Sequence, residues 1–236
     1  MQRLKSIKLY FFSILKLAFL SFRNYYYKSR YYNNKLITYI PERIFYNPSS
    51  HLVASLTNNK NDFYKISTMS PELLWEVKKK DKQKFENLHS FLWLAKLDRK
   101  DNRDTIHYII KSWINNFFNY DSNTWDLEIT AKRIIAWSSN TDITLDNSEK
   151  IYKEKFLISL IKQSNFLLKN LSGSVYATTK IICCASIILS GIIFKENESN
   201  YKIGIKELEK ILKNYFDDSG FPKSRNPEDV FVCIKY

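Results

Sequence analysis

Six apolar residues, Ile106, Ile109, Ile110, Trp113, Ile114 and Phe117, recur by threes and fours over three turns, and this run constrains the fold more than any other feature. On an α-helix that spacing puts all six on one face, whereas a strand would divide them between two. Other segments repeat the pattern. Phe85, Leu88, Leu92 and Ala95 form one stripe, and Leu127, Ala131, Ile134 and Ile135 mark a helix from Asp126 to about Trp137. Leu157, Leu160, Ile161, Ser164 and Leu168 mark another from about Ser148 to Leu171. Ile205, Leu208, Ile211, Leu212 and Tyr215 mark a further one from about Lys202 to Phe216. Between Val175 and Phe194 the residues are apolar nearly all round, as in a central helix enclosed by neighbours. That run stops at 20 residues and contains Lys180 and small polar groups, which argues against a membrane span. An all-β chain needs frequent turns, and 4 Gly and 5 Pro in 236 residues supply few of them. The expected fold class is therefore mainly α, with antiparallel helical hairpins in a layered ring or an irregular array. No fixed solenoid period is present.

The chain divides into three regions by composition. Residues 1–35 hold an apolar stretch, Leu9 to Phe22, and eight basic residues, and the first acid is Glu42. Lys16 interrupts the stretch, and Leu20-Ser21-Phe22 makes a poor cleavage site, so neither a spanning helix nor a secretory signal is favoured. A helix packed on the domain is the preferred reading, with a basic helix lying on a membrane surface, or an atypical signal, as alternatives. Tyr25 to Tyr32 reads as a solvated connector. Residues 36–84 lack helical period and carry the turn formers Asn47-Pro48-Ser49-Ser50, Asn58-Asn59 and Ser70-Pro71-Glu72, so an irregular region is expected there. Residues 85–236 form the helical domain. The net charge is +13, of which the chain after Lys35 carries only +5, from 29 basic and 24 acidic residues. A basic surface favours anionic partners. Cys183, Cys184 and Cys233 show no zinc spacing and read as small buried hydrophobes, and His51, His89 and His107 fall in no metal pattern. No metal or cofactor is expected.

The last stretch is locally the most specific. Asp217-Asp218-Ser219-Gly220 ends one helix, and Asn226-Pro227-Glu228-Asp229 starts another with a capping Asn, Pro at the first position and acids at the positive end. A helix begun so distinctly and ended at Tyr236 suggests a truncated chain.

Three ordered segments resemble the α/α-toroid part of heparinase II/III-like proteins. They are Leu88-His89-Ser90-Phe91-Leu92-Trp93-Leu94, then Trp125 to Trp137 with Arg133 in place, then Asp218-Ser219-Gly220-Phe221-Pro222-Lys223-Ser224-Arg225-Asn226-Pro227. The likeness covers roughly residues 70 to 236. It implies an incomplete toroid without the family's β-sandwich, and β-elimination on an acidic, uronic-acid-containing polysaccharide as the activity. It also implies the periplasm or cell envelope as the compartment, with the cytoplasm as the alternative. The family places an Asn-His pair at the start of its central helix and a Tyr after the Arg-Ser-Pro turn. Here Ser172-Gly173-Ser174-Val175-Tyr176 holds no Asn-His, and Asp229 stands about where the Tyr would be.

Elimination needs a group to relieve the carboxylate charge, a base and an acid. Tyr176 and Asn226 are the catalytic candidates on this reading. Lys223 and Arg225 are placed to hold a carboxylate or sulfate, Arg133 to pair with a sugar acid or to take a buried salt-bridge or stacking role, and Trp125 with Trp137 to form a sugar platform or to pack in the core. His89 and His107 are assigned structural or surface roles. No nucleic-acid partner is expected on this reading. The lyase reading predicts that Trp125, Arg133 and Arg225 converge on one concave face. The alternatives are a non-catalytic binding module that applies residues 1–35 to a membrane surface or nucleic acid, and a helical scaffold with no ligand in which those three side chains are scattered and held in buried salt bridges.

Overall fold

The computed structural model describes residues 2–46, 48, 74–76, 81–97, 103–174 and 176–235. Every regular element among them is helical, and the strand-like pairing among them is one antiparallel bridge between Phe216 and Pro222. Helix α1 spans Gln2–Lys28 and α2 spans Arg30–Lys35. Helix α3, Lys82–Ser90, leads into a 3-10 turn at Leu92–Lys96. Then come α4, Arg103–Phe117, α5, Leu127–Ser138, and the short α6, Thr141–Thr144. Helices α7, Lys150–Asn170, α8, Ala177–Ile193, α9, Glu198–Tyr215, and α10, Pro227–Lys235, complete the order. The protein is mainly α, as its periodicity requires. The turn formers between residues 47 and 72 fall almost wholly outside the described residues, as does Val175.

Helix α5 is the hub. Asp126 caps it by accepting from the Glu128 and Ile129 amides, and from Ile129 on all but one residue of the helix is buried. It touches α3, the 3-10 turn, α6, α7 and α8. Neighbours on several sides explain why so little of it is polar-faced, whereas α8, the helix expected to be central, leaves Ile192 exposed. Trp137 of α5 meets Phe91 and Trp113 edge-on at 5.3 and 5.4 Å and stacks on Phe156 at 5.1 Å, all arrangements that the ring quadrupoles favour.

One helical stripe is broken. The Phe85–Ala95 pattern predicts a continuous helix, but Phe91 adopts φ 58° and separates α3 from the 3-10 turn. Its fully buried ring packs on Trp93, Trp113 and Trp137, so core contacts hold a conformation that local preference disfavours.

Helices α8 and α9 are antiparallel. A short link through Phe194 and a 3-10 turn at Lys195–Asn197 reverses the chain, and late α8 then faces early α9. Two glycines let the backbones close up. A Cβ at Gly191 would stand 2.3 Å from the Tyr201 backbone nitrogen, and one at Gly204 would stand 2.6 Å from Ile188 Cγ1.

The amino-terminal segment behaves in two ways. Tyr26, Tyr27 and Tyr32 are docked, with Tyr27 stacked on Tyr32 at 4.5 Å and edge-on to Tyr120. The Tyr27 hydroxyl donates to Asn170 Oδ1 at 2.5 Å, and the buried Asn33 accepts from the Tyr120 amide at 2.8 Å. A solvated connector at Tyr25 to Tyr32 is therefore corrected to a fastened one, because aromatic rings and paired polar groups bury together. The expectation that α1 packs on the domain is corrected too. Tyr10, Phe11, Phe12, Ile14, Leu15, Leu17, Phe19, Leu20 and Phe22 all stand exposed. Among the described helices, α2 is the principal neighbour of α1.

Candidate functional site

A cleft of about 590 Å³ opens where the end of α7, the turn at Leu171–Gly173, the start of α8 and the outer part of α9 meet. Leu168, Leu171 and Ile211 give it an apolar floor, and Lys180, Glu207, Lys210 and Tyr215 bring polar groups to it. The register of α8 against α9 explains this grouping: the short link opposes their near ends, so the cleft forms at the far ends. Glu207 and Lys210 pair with each other at 2.5 Å. Lys180 makes no ion pair with a described residue and is the cation left to meet an anion.

The segment after α9 folds back on the end of that helix, next to the cleft-lining Tyr215. The Asp217 side chain accepts from the Ser219 amide at 2.9 Å and the Phe221 amide at 3.0 Å, while Gly220 supplies the left-handed φ of 78° the turn requires. The Phe221 amide bond leads the causes that hold the Asp217 carboxyl below its ordinary range, with the Ser219 amide and the Arg225 guanidinium adding to it. Lys223 N donates to Tyr215 O at 2.8 Å, closing the loop on the end of α9. Tyr215 then joins turn to cleft. Its hydroxyl donates to Asp229 of α10, which also accepts from Ser224 Oγ at 2.6 Å. The Ser224 hydrogen bond, followed by that from Tyr215, keeps Asp229 ionised below the usual carboxylate range. Burial, then the Asp229 bond, pushes the Tyr215 phenol up. The phenol thus keeps its proton and directs it to Asp229.

Of the sequence-derived candidates, Lys223, Arg225 and Asn226 share this exposed turn. Arg225, at φ 55°, places Nη2 2.6 Å from Asp217 Oδ2, yet its side chain is 67% exposed, so other guanidinium donors still face solvent. Asn226 Oδ1 accepts from the Glu228 amide at 3.0 Å, a capping duty that occupies the side chain. Tyr176 stands at the start of α8, 73% exposed, beside the cleft-lining Ala177, and no described residue bonds its hydroxyl.

The sugar-binding assignments of Trp125, Arg133 and Trp137 are corrected, since all three lie in the core and out of reach of a polymer, and the core-packing reading of the two tryptophans holds. Trp125 Nε1 donates to Phe117 O at 2.9 Å. Arg133 lies 4.1 Å over the Trp113 ring and donates to Gln163 Oε1 at 2.6 Å, His89 O at 2.9 Å and Thr124 O at 3.0 Å. Buried and with no described carboxylate in a salt bridge to it, Arg133 fits neither the sugar-acid nor the ion-pair reading, and its place over the Trp113 ring matches the stacking one. Neutral oxygens and a ring face carry the charge instead. Lys162 repeats the device with Phe118 O at 2.8 Å and Asn119 Oδ1 at 3.0 Å, and burial lowers its ammonium to about 7. His89 accepts at Nδ1 from Trp113 Nε1 at 3.1 Å, which puts the proton on Nε2, and burial drags its pKa down to about 3. Cys183 and Cys184 are buried and their thiols are pushed up by burial, whereas Cys233 is half-buried.

Sequence reasoning read Tyr215 as a core-facing residue and gave Ser224 and Lys180 no role. The helix stop after Tyr215 was the available signal, since a residue at a helix end beside a tight turn can serve both. No family model matches the chain, and none of the curated proteins or solved structures compared with it matches.

Proposed function

We propose that this chain is the helical, toroid-like part of a heparinase II/III-like protein and that it holds an acidic polysaccharide along the cleft beside Tyr215. The observation that carries the reading is the double membership of Tyr215, which lines the cleft and bonds the turn that bears Lys223 and Arg225. In that arrangement Lys180 offsets a uronate carboxylate, and the exposed donors of Arg225 and Lys223 take a neighbouring anionic group, while Tyr215 ties the turn to the cleft through Asp229. Tyr176, whose hydroxyl no described residue bonds, stands beside the cleft-lining Ala177 as the candidate to protonate the departing sugar oxygen, while the C5 proton passes to a solvent base. The ordered likeness of the three sequence segments supports the family, and the helical architecture is compatible with it. The compartment that fits a polysaccharide substrate is the cell envelope.

The test is titration of the purified chain against uronate polymers and a neutral glucan, with ultraviolet detection of unsaturated products alongside. We expect binding to the uronate polymers alone, weakened about tenfold by Lys180→Ala or by Arg225→Ala. A folded chain that binds no uronate polymer, or binds the neutral glucan as well, overturns the reading.

A further inference from the structure

The exposed part of α1 has no use in the cleft or the core. Phe11, Ile14, Leu15, Phe22 and Tyr25 follow helical spacing along one side, and Phe11, Phe22 and Tyr25 are 58%, 69% and 79% exposed. Folded soluble proteins seldom leave an apolar stripe of this length in water. Arg23 falls on another side of the helix by register, and Arg23, Lys28, Arg30 and Lys35 follow one another exposed from there to the end of α2. No acidic residue precedes Glu42, so this whole region carries one sign of charge. No helix among the described residues is long and apolar enough to cross a membrane. An apolar stripe beside unopposed cations, too short in hydrophobic length to span, matches the boundary between acyl chains and anionic headgroups.

We infer that α1 docks this protein on an anionic lipid surface, lying in the interface with Phe11, Ile14, Leu15 and Phe22 inserted and the exposed cations Arg23, Lys28, Arg30 and Lys35 meeting the headgroups. The tight anchorage of Tyr27, Tyr32 and Asn33 to α7 and the Tyr120 loop gives the docked helix a fixed link to the domain.

Flotation of the whole chain with vesicles tests it, using phosphatidylglycerol mixed with phosphatidylcholine against phosphatidylcholine alone. The expected result is flotation with the anionic vesicles, reduced several-fold by high salt. Replacing Phe11, Leu15 and Phe22 together by Ser should cut vesicle partitioning by on the order of 100-fold with unchanged circular dichroism. A second variant, Arg23→Gln with Lys28→Gln, keeps the stripe and should lose about tenfold, with a shallower salt dependence. Equal flotation of wild type and the Ser variant overturns the inference, as does failure to bind anionic vesicles. A concentration-dependent dimer that disappears in the Ser variant while vesicle binding stays absent would also overturn it, assigning the stripe to a second copy. Glycan binding through the cleft is unaffected in these variants on either outcome.

Discussion

Helices α5 and α1 are built from similar material, apolar residues with a few cations, and meet opposite fates. In α5 all but one of the residues from Ile129 to Ser138 are buried, including Arg133, whereas α1 leaves its large side chains from Tyr10 to Phe22 in solvent. The difference lies in neighbours. Helix α5 is surrounded by four other helices and a 3-10 turn, and its Arg133 finds carbonyl and amide oxygens to accept its donors. Helix α1 leans chiefly on α2. Hydrophobicity sets how much a helix gains from being covered; whether it is covered depends on what the rest of the chain places beside it.

That contrast can be broken by experiment. The largest effect expected is from Trp137→Ala, which removes a fully buried indole at the meeting of three rings and should cost about 3–5 kcal/mol in denaturant unfolding at constant m. Acid comes next. His89 has its pKa lowered from 6.5 to about 3 in the folded state, so the unfolded chain binds its proton first. The stability it contributes is complete above pH 6.5 and is lost progressively as pH falls toward 3, by on the order of a few kcal/mol. His107, lowered also by burial, adds in the same direction. His89→Gln should flatten the curve of unfolding free energy against pH in that window; an unchanged slope would show that His89 is not the group responsible. Lys162 predicts a second rise in stability between about pH 7 and 10.5, which Lys162→Met should remove.

Smaller again is Gly191→Ala. The new methyl meets the Tyr201 backbone at 2.3 Å, so α9 must shift, at about 1–3 kcal/mol by thermal unfolding. The smallest is Phe22→Ala in α1, where a change within about 0.5 kcal/mol is expected because no contact is lost. A loss from Phe22→Ala as large as that from Trp137→Ala would erase the distinction between the two helices.

Much of the helical order was legible because periodicity is a local property. The spacing from Ile106 to Phe117 gives α4, and the expected helix from Asp126 matches α5 with Asp126 as its cap. What escaped depended on distant partners. The break at Phe91 is held by Trp113 and Trp137, and the burial of Arg133 depends on Gln163 of α7. At the candidate site the turn from Asp217 to Pro227 was readable from its Gly, Pro and capping Asn. The role of Tyr215 was not, since its bond to Asp229 exists only once α10 folds back.

The five tryptophans all lie between residues 75 and 137, and Trp93, Trp113, Trp125 and Trp137 are buried. Indole fluorescence from this protein is therefore a spectroscopic channel for one neighbourhood, the α3–α5 assembly. Excitation at the indole band would follow the collapse or melting of that assembly while remaining silent to events along the amino-terminal rod, whose chromophores are tyrosines. Compared with loss of helical circular dichroism, which α1 shares, the indole transition would tell whether that helix and the body melt as a unit.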